Sequence, residues 1–281
     1  MKRLLRTEER MTENISWKLR IEHLGFCHLW LSWSQGNIHF DPITNISPGD
    51  LVILLGSTPK RINDTAQAIS EGKNPVVVAA QEIIDWLRTY GDFQGYADKG
   101  TYKGITISLT PYEPFPAWVW PEGLERIRAG IRHPRSVLKK ILAKQSMPKS
   151  MPRVAQLRFP SGATLVHANL SLHRLQQKSW LESFTQQCSS IDWLIAGVDY
   201  KQAPSFTQNL SFFDSPLILV TDLLSDSRKE VGLPTQWLTP VVDSLLDQFR
   251  EKNTQKLAFV FAPHASFRFN NTNVQAIQET K

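Results

Sequence analysis

The chain has 281 residues, 41% hydrophobic and 21% charged, with 14 glycines and 17 prolines, proportions that exclude a disordered or fibrous protein. At about 150 residues per domain this length fits roughly two domains or one large α/β unit, and no fixed-period repeat points to a solenoid or propeller. The formal net charge is +6, but Arg126 to Arg153 alone holds nine Lys/Arg and no Asp/Glu, so the basic character is a local patch.

No run approaches the roughly 18 consecutive apolar residues of a membrane-spanning helix, so no integral membrane segment is expected. The opening MKRLLRTEERMTEN lacks the apolar stretch of a secretory signal, and the expected compartment is the cytoplasm. There Cys27 and Cys188, the two cysteines, are expected as free thiols rather than a disulfide framework.

In chain order, residues 1–14 read as a flexible extension, 15–270 as a single domain carrying a basic insert at 114–153, and 271–281 as a tail. WKLRIEHL, CHLWLSW and NIHF form a β-meander joined by turn-forming Gly25 and Gln35-Gly36-Asn37. Asp41-Pro42 ends it. The strand LVILL, the loop GSTPKR and a helix capped by Asn63 and ending at a glycine follow. Strand PVVVAA and helix QEIIDWLRTYG complete a β-loop-α-β-α order, before a second meander in YKGITISLTPYEP.

The insert bears prolines, tryptophans and one expected helix over Arg135 to Lys144. The pattern then restarts: strand VAQLRF, a turn at Pro160-Ser161-Gly162, strand ATLVHA, helix LHRLQQKSWLESF, strands DWLIAG and PLILVTD, helix TPVVDSLLDQFREK and strand LAFVFAP. Two halves, each a meander followed by α/β units, predict two sheets packed face to face with helices outside, an α/β (α+β) fold of αββα layers.

Five landmarks in order give this chain a specific resemblance: Leu24-Gly25-Phe26-Cys27, Asp41-Pro42, the loop Leu55 to Asp64, the strand Thr164 to Ser171, and the closing stretch Leu238 to Phe267. Together they resemble the metallo-β-lactamase fold superfamily, in particular its small uncharacterised metal-dependent hydrolases that open with a Gly-His-Ser turn. That resemblance implies a four-layer αββα sandwich. It also implies an HxHxDH loop, a bridging Asp and a terminal His around one or two metal ions that make hydroxide available for hydrolysis at neutral pH.

The ligands the resemblance calls for are missing from the sequence. The HxHxDH positions read Gly56, Ser57, Thr58, Pro59, Lys60 and Arg61, the bridging aspartate falls on Leu170 beside Asn169, and Phe26 replaces the histidine of the opening turn. Only the terminal histidine remains, as His264. A stable zinc site needs three or four protein ligands. A doubly charged cation about 4 Å from Lys60 or Arg61 meets repulsion of order 8 kcal/mol at an effective dielectric near 20. No metal or other cofactor is therefore expected, and the reading is a pseudoenzyme with a binding or scaffolding role.

Alternatives stand beside it. A rebuilt zinc site can draw on His264, His167, Asp41 and Asp64 and would make the chain a hydrolase. Against that, Asp41 reads as a turn residue before Pro42, Asp64 as a first-turn helix residue favoured by the dipole, and the two histidines as hydrogen-bonded remnants. Ser57 or Thr58 facing His264 can be imagined as a nucleophile and base, though without a GxSxG elbow. The loop Gly56 to Arg61 enters a helix N-terminus, and Lys60 and Arg61 suit an anion there.

The expected helix Arg135 to Lys144 sets Val137, Leu138, Ile141 and Leu142 on one face, apart from Arg135, Lys139, Lys140 and Lys144. With Phe115, Trp118 and Trp120 upstream, it fits an acidic protein, nucleic acid or an anionic membrane surface. Alternatively, its apolar face covers the sandwich.

Overall fold

The computed structural model describes residues 19–25, 28–43, 46–113, 131, 134–135, 138, 142, 145–169, 178–188, 190–197, 209–210, 212–221, 246–247, 249, 251, 257–261, 266–270 and 273–277. The opening meander forms as expected, from β1 (Leu19–His23), β2 (Leu29–Trp33) and β3 (Gly36–Phe40). Parallel strands β4 (Leu51–Ile53), β5 (Val76–Ala79) and β6 (Gln94–Ala97) continue the sheet from β3.

The chain then crosses to a second sheet. There β7 (Lys99–Tyr102), β8 (Ile105–Pro111), β9 (Arg153–Arg158) and β10 (Thr164–His167) pair antiparallel, and β11 (Trp193–Gly197), β12 (Leu217–Thr221) and β13 (Leu257–Phe261) add on in parallel. It returns to the first sheet through β14 (Ser266–Asn270), which pairs with β1, and β15 (Asn273–Ile277). The strand orders are β15-β14-β1-β2-β3-β4-β5-β6 and β13-β12-β11-β10-β9-β8-β7.

Side-chain alternation builds the layers, because successive residues of a strand face opposite sides of its sheet. Leu51, Ile53 and Leu55 share a buried cluster with Leu157, Leu165, Ile195 and Leu219, which is the core between the sheets. Their neighbours Val52 and Leu54 point the other way, onto Ile62, Ala66 and Ile69 of α1 (Pro59–Ser70) and Ile83, Ile84 and Leu87 of α2 (Gln81–Leu87). On the second sheet Val166, Leu194, Ile218 and Val220 pack outward against Leu181 and Phe184 of α3 (Lys178–Gln187). Strands apolar on both faces thus produce three cores and four layers, the αββα sandwich that the sequence predicts. Among the described residues no helix is long and apolar enough to cross a membrane.

Three expectations are corrected. First, α1 begins at Pro59 after Thr58, whose backbone is extended, not at an Asn63 cap; proline is pre-set for the first helical position, where its missing N–H costs nothing. Asp64 consequently lies in the second turn. Second, residues 273–277 are a strand registered on β14 rather than part of a tail. Third, β6 (QGYA), absent from the expected elements, pairs with β5 and leads through Asp98 into the second sheet. The expected helix end holds: Gly72 has φ +74, its N–H bonds Ile69 O and the Lys73 N–H bonds Ala68 O, a Schellman termination that needs a residue tolerant of the left-handed region.

Candidate functional site

Three Asx residues in the left-handed region mark strand ends: Asp41 after β3 (φ 46), Asp98 between β6 and β7 (φ 56) and Asn169 after β10 (φ 50). Asp and Asn tolerate this conformation better than other non-glycine residues, and unlike glycine they bring a side chain to the site. One hydrogen-bonded path joins all three. Asp41 Oδ1 accepts the Leu55 N–H at 2.9 Å, Leu55 O accepts the Arg153 N–H at 2.8 Å, and Arg153 O accepts Asn169 Nδ2 at 3.4 Å. Arg153 Nε reaches Asp98 Oδ1 at 2.5 Å and its Nη1 the Met151 carbonyl at 2.6 Å. Leu55 and Arg153 thereby join the two sheets at the carboxyl ends of β3 and β10, where open α/β sheets commonly hold ligands.

At the inner end of this path lies Asp41, only 2% exposed. Its second oxygen, Oδ2, accepts Arg61 Nη1 at 2.6 Å. Burial pushes the Asp41 carboxyl above its usual range, while the Arg61 guanidinium and the Leu55 N–H pull it back. Arg61, two residues into α1, thus turns inward and is almost fully covered, while Lys60 faces solvent. This divides the pair proposed for an anion: Arg61 is committed to Asp41, and only Lys60 remains at the surface of the loop.

His167, fully buried at the end of β10, lies close enough to feel that guanidinium. Burial first, and Arg61 second, lower its pKa to about 3, so the ring is neutral. Its Nδ1 accepts the Asn169 N–H at 3.0 Å. An imidazole that accepts at Nδ1 carries its proton on Nε2, and therefore has no lone pair left for a metal. His23 does the same, its Nδ1 accepting the Gly25 N–H at 3.0 Å.

A further network lies within the first sheet. The Ile43 N–H donates to His28 Nδ1 at 3.4 Å, His28 Nε2 lies 3.1 Å from His39 Nδ1, and His39 Nε2 lies 3.0 Å from Asp50 Oδ2. The direction of the first bond sets the rest: His28 donates to His39, which donates to Asp50. Asp50 also accepts the Ser47 N–H and Asn37 Nδ2, at 2.9 and 3.1 Å. Burial, His39 and His23 together lower the His28 pKa to about 3. This relay fastens the loop between β3 and β4 to its strands.

Of the residues singled out from sequence, the structure brings Asp41, Arg61 and His167 together. It sends Asp64 elsewhere, to a shallow depression of about 230 Å³ shared with Ile43, Ile46 and Gln67, where burial raises its pKa. Ser57 and Thr58 are half-buried on the loop before α1, and the Thr58 side chain makes no cap bond. Phe26, Cys27, Trp118, Trp120, Lys139, Lys140, Lys144, Leu170 and His264 lie outside the described residues. Cys188 is a buried free thiol whose pKa burial pushes up to about 11.

Sequence reasoning missed Asn169, Asp98, Arg153 and the relay. The signal for the first two was an Asx residue ending a strand, the same feature that singled out Asp41.

The described donors at this site do not by themselves fit a metal of the kind the resemblance implies. Asp41 Oδ1 and Oδ2 already accept from Leu55 and Arg61, His167 Nδ1 accepts from Asn169, and Arg61 places a positive charge beside them. Among the described residues no group of three His, Cys, Asp or Glu side chains is placed to hold an ion.

No protein-family profile and no curated protein matches this chain by sequence. Solved structures do match. A metallo hydrolase, Igni18, from Ignicoccus hospitalis KIN4/I superposes with a TM-score of 0.56 at 13% identity, over 90% of this chain and 98% of its own. A protein of Parabacteroides distasonis ATCC 8503 described as a metal-dependent hydrolase gives 0.52 at 14%, over 87% and 93%. The isothiocyanate hydrolase of Delia radicum gut bacteria gives 0.51 at 12%, over 89% and 99%.

These superpositions span nearly whole chains and show the fold, a four-layer αββα sandwich of the metallo-β-lactamase-like kind that the five landmarks imply. At such identities they establish architecture, and activity must be argued from the site.

Proposed function

We propose that this chain is a catalytically degenerate protein of the metallo-β-lactamase fold with a binding or scaffolding role, in which Arg61 stands in for a bound cation. One observation carries the reading: the Arg61 guanidinium lies 2.6 Å from Asp41 inside the site. A guanidinium neutralises a buried carboxylate as a metal ion would, and donates hydrogen bonds besides. Unlike a metal ion it offers no coordination position that lowers the pKa of a bound water, so it supplies no nucleophile. Hydrolysis in the neighbouring structures is thus no guide to this site.

Elemental analysis of the purified full-length chain tests the proposal. The expected result is no stoichiometric zinc, iron or manganese, before or after incubation with the free ions. A stoichiometric metal that disappears in His264→Ala would overturn it in favour of a hydrolase with a rebuilt site around His264.

A further inference from the structure

The insert between β8 and β9 offers a second surface, independent of the Asp41–Arg61 site. Its described helical residues are 131, 134, 135, 138, 142 and 145, all of them exposed, and Leu138 and Leu142, four residues apart, have the spacing of neighbours on a helix surface. Ile131, Leu138 and Leu142 are 74%, 57% and 56% exposed, so these two leucines do not cover the sandwich, while Val137 and Ile141 lie outside the described residues. That role falls to Met147, which packs partly buried against the cluster under α1 and α2. Large aliphatic side chains left in water on one face mark a surface that is covered in use.

The charge of the surrounding sequence narrows what covers it. The run Arg126 to Arg153 has nine cations and no carboxylate, and of these Arg153 is committed to Asp98. Nucleic acid would satisfy the cations but leave the aliphatic stripe in water. An anionic bilayer satisfies both, since its headgroups attract Lys and Arg while the acyl boundary takes up the aliphatics. Phe115, Trp118 and Trp120, just upstream in the sequence, belong to the residue types enriched at that boundary.

We propose that the insert docks the protein on anionic lipid membranes, laying Ile131, Leu138 and Leu142 into the bilayer interface.

Co-sedimentation of the full-length chain with vesicles tests it. Binding to phosphatidylcholine vesicles containing phosphatidylserine is expected, with little to phosphatidylcholine alone and a steep fall as salt rises. Leu138→Glu with Leu142→Glu should weaken partitioning about tenfold or more while leaving the circular dichroism melt unchanged, because both side chains are exposed. Arg135→Glu with Lys139→Glu and Lys140→Glu should weaken it comparably.

Failure to pellet with the anionic vesicles overturns the proposal, as does binding indifferent to the leucine changes. Retention on duplex DNA that survives the leucine changes, without vesicle binding, would assign the surface to nucleic acid instead. Self-association abolished by them, again without vesicle binding, would assign it to a second copy. Absence of vesicle binding together with tight binding to an acidic amphipathic peptide would assign it to a protein partner.

Discussion

Two carboxylate–guanidinium pairs flank Leu55, and they differ in how much water reaches them. In the inner pair the side chains of Asp41 and Arg61 are 2% and 11% exposed, while in the outer pair Arg153 is 8% exposed but Asp98 is 39%. The ionic chemistry is the same at both sites. The inner pair has exchanged most of its solvation for protein partners, and each member supplies the other's counter-charge, whereas Asp98 can turn to solvent if Arg153 is lost. A buried pair is weak evidence for net stability, yet breaking one by removing a single member is costly.

Arg61→Ala should therefore have the largest effect, a loss of about 3–5 kcal/mol at neutral pH, read from urea denaturation. Its pH dependence distinguishes an orphaned charge from lost packing. Burial raises the Asp41 pKa, and without Arg61 only the Leu55 N–H opposes that rise. The folded variant then keeps a proton that the unfolded chain has released. This stabilises it at low pH and is lost as pH rises through the raised pKa, so its deficit relative to the unaltered chain should shrink on acidification. His167, freed from the Arg61 charge, shifts the difference in the same direction. A deficit independent of pH would mean that Asp41 and Arg61 are not coupled as described.

Arg153→Ala tests the outer pair and should cost less, about 1–3 kcal/mol, through the uncompensated Met151 carbonyl. Asp98 re-solvates rather than standing orphaned. If both arginine variants lose equal stability, the contrast in burial is not what separates the two pairs.

The acid limb of the stability curve gives the next effect. His28 and His167 titrate near 3 when folded against 6.5 for the free side chain, mainly because burial disfavours their charged forms. Below pH 6.5 the unfolded chain takes up protons that the folded chain refuses. Stability is complete above that pH and falls as pH drops toward 3, by about 1.4 kcal/mol per pH unit for each ring. His28→Gln should flatten the slope by that amount between pH 6 and about 4, whatever it costs at neutral pH. An unchanged slope would show that His28 charges without penalty.

These groups were unevenly legible in the sequence. Uninterrupted apolar strands such as LVILL and PVVVAA revealed the sandwich, because a strand buried on both faces has few other ways to satisfy its side chains. The lack of histidine and carboxylate side chains from Gly56 to Arg61 was equally plain from residue types. The inward turn of Arg61 was not, since nothing local distinguishes it from its solvent-facing neighbour Lys60. Arg61 is drawn to Asp41, a partner 20 residues away in sequence. The histidine relay was hidden for the same reason: His28, His39 and Asp50 meet through strand register. Asn63 misled as a helix cap because Pro59 had already set the first turn.

The smallest expected effect is at Asp98. With φ at 56, replacement by alanine would add backbone strain to the loss of charge and confuse the two, but asparagine tolerates the left-handed region and keeps the side-chain shape. Asp98→Asn therefore isolates the charge. The Asp98 carboxylate is substantially solvated, so the ion pair is screened and its loss should cost less than about 1 kcal/mol. The same exchange at Asp41, also in the left-handed region, removes a carboxylate that water does not reach and so cannot replace, whereas water at the exposed Asp98 side can take up the Arg153 charge; it should cost several-fold more. Urea midpoints that fall equally for Asp41→Asn and Asp98→Asn would show that solvent reaches the inner pair as readily as the outer one, and would remove the ground for treating Arg61 as a built-in cation.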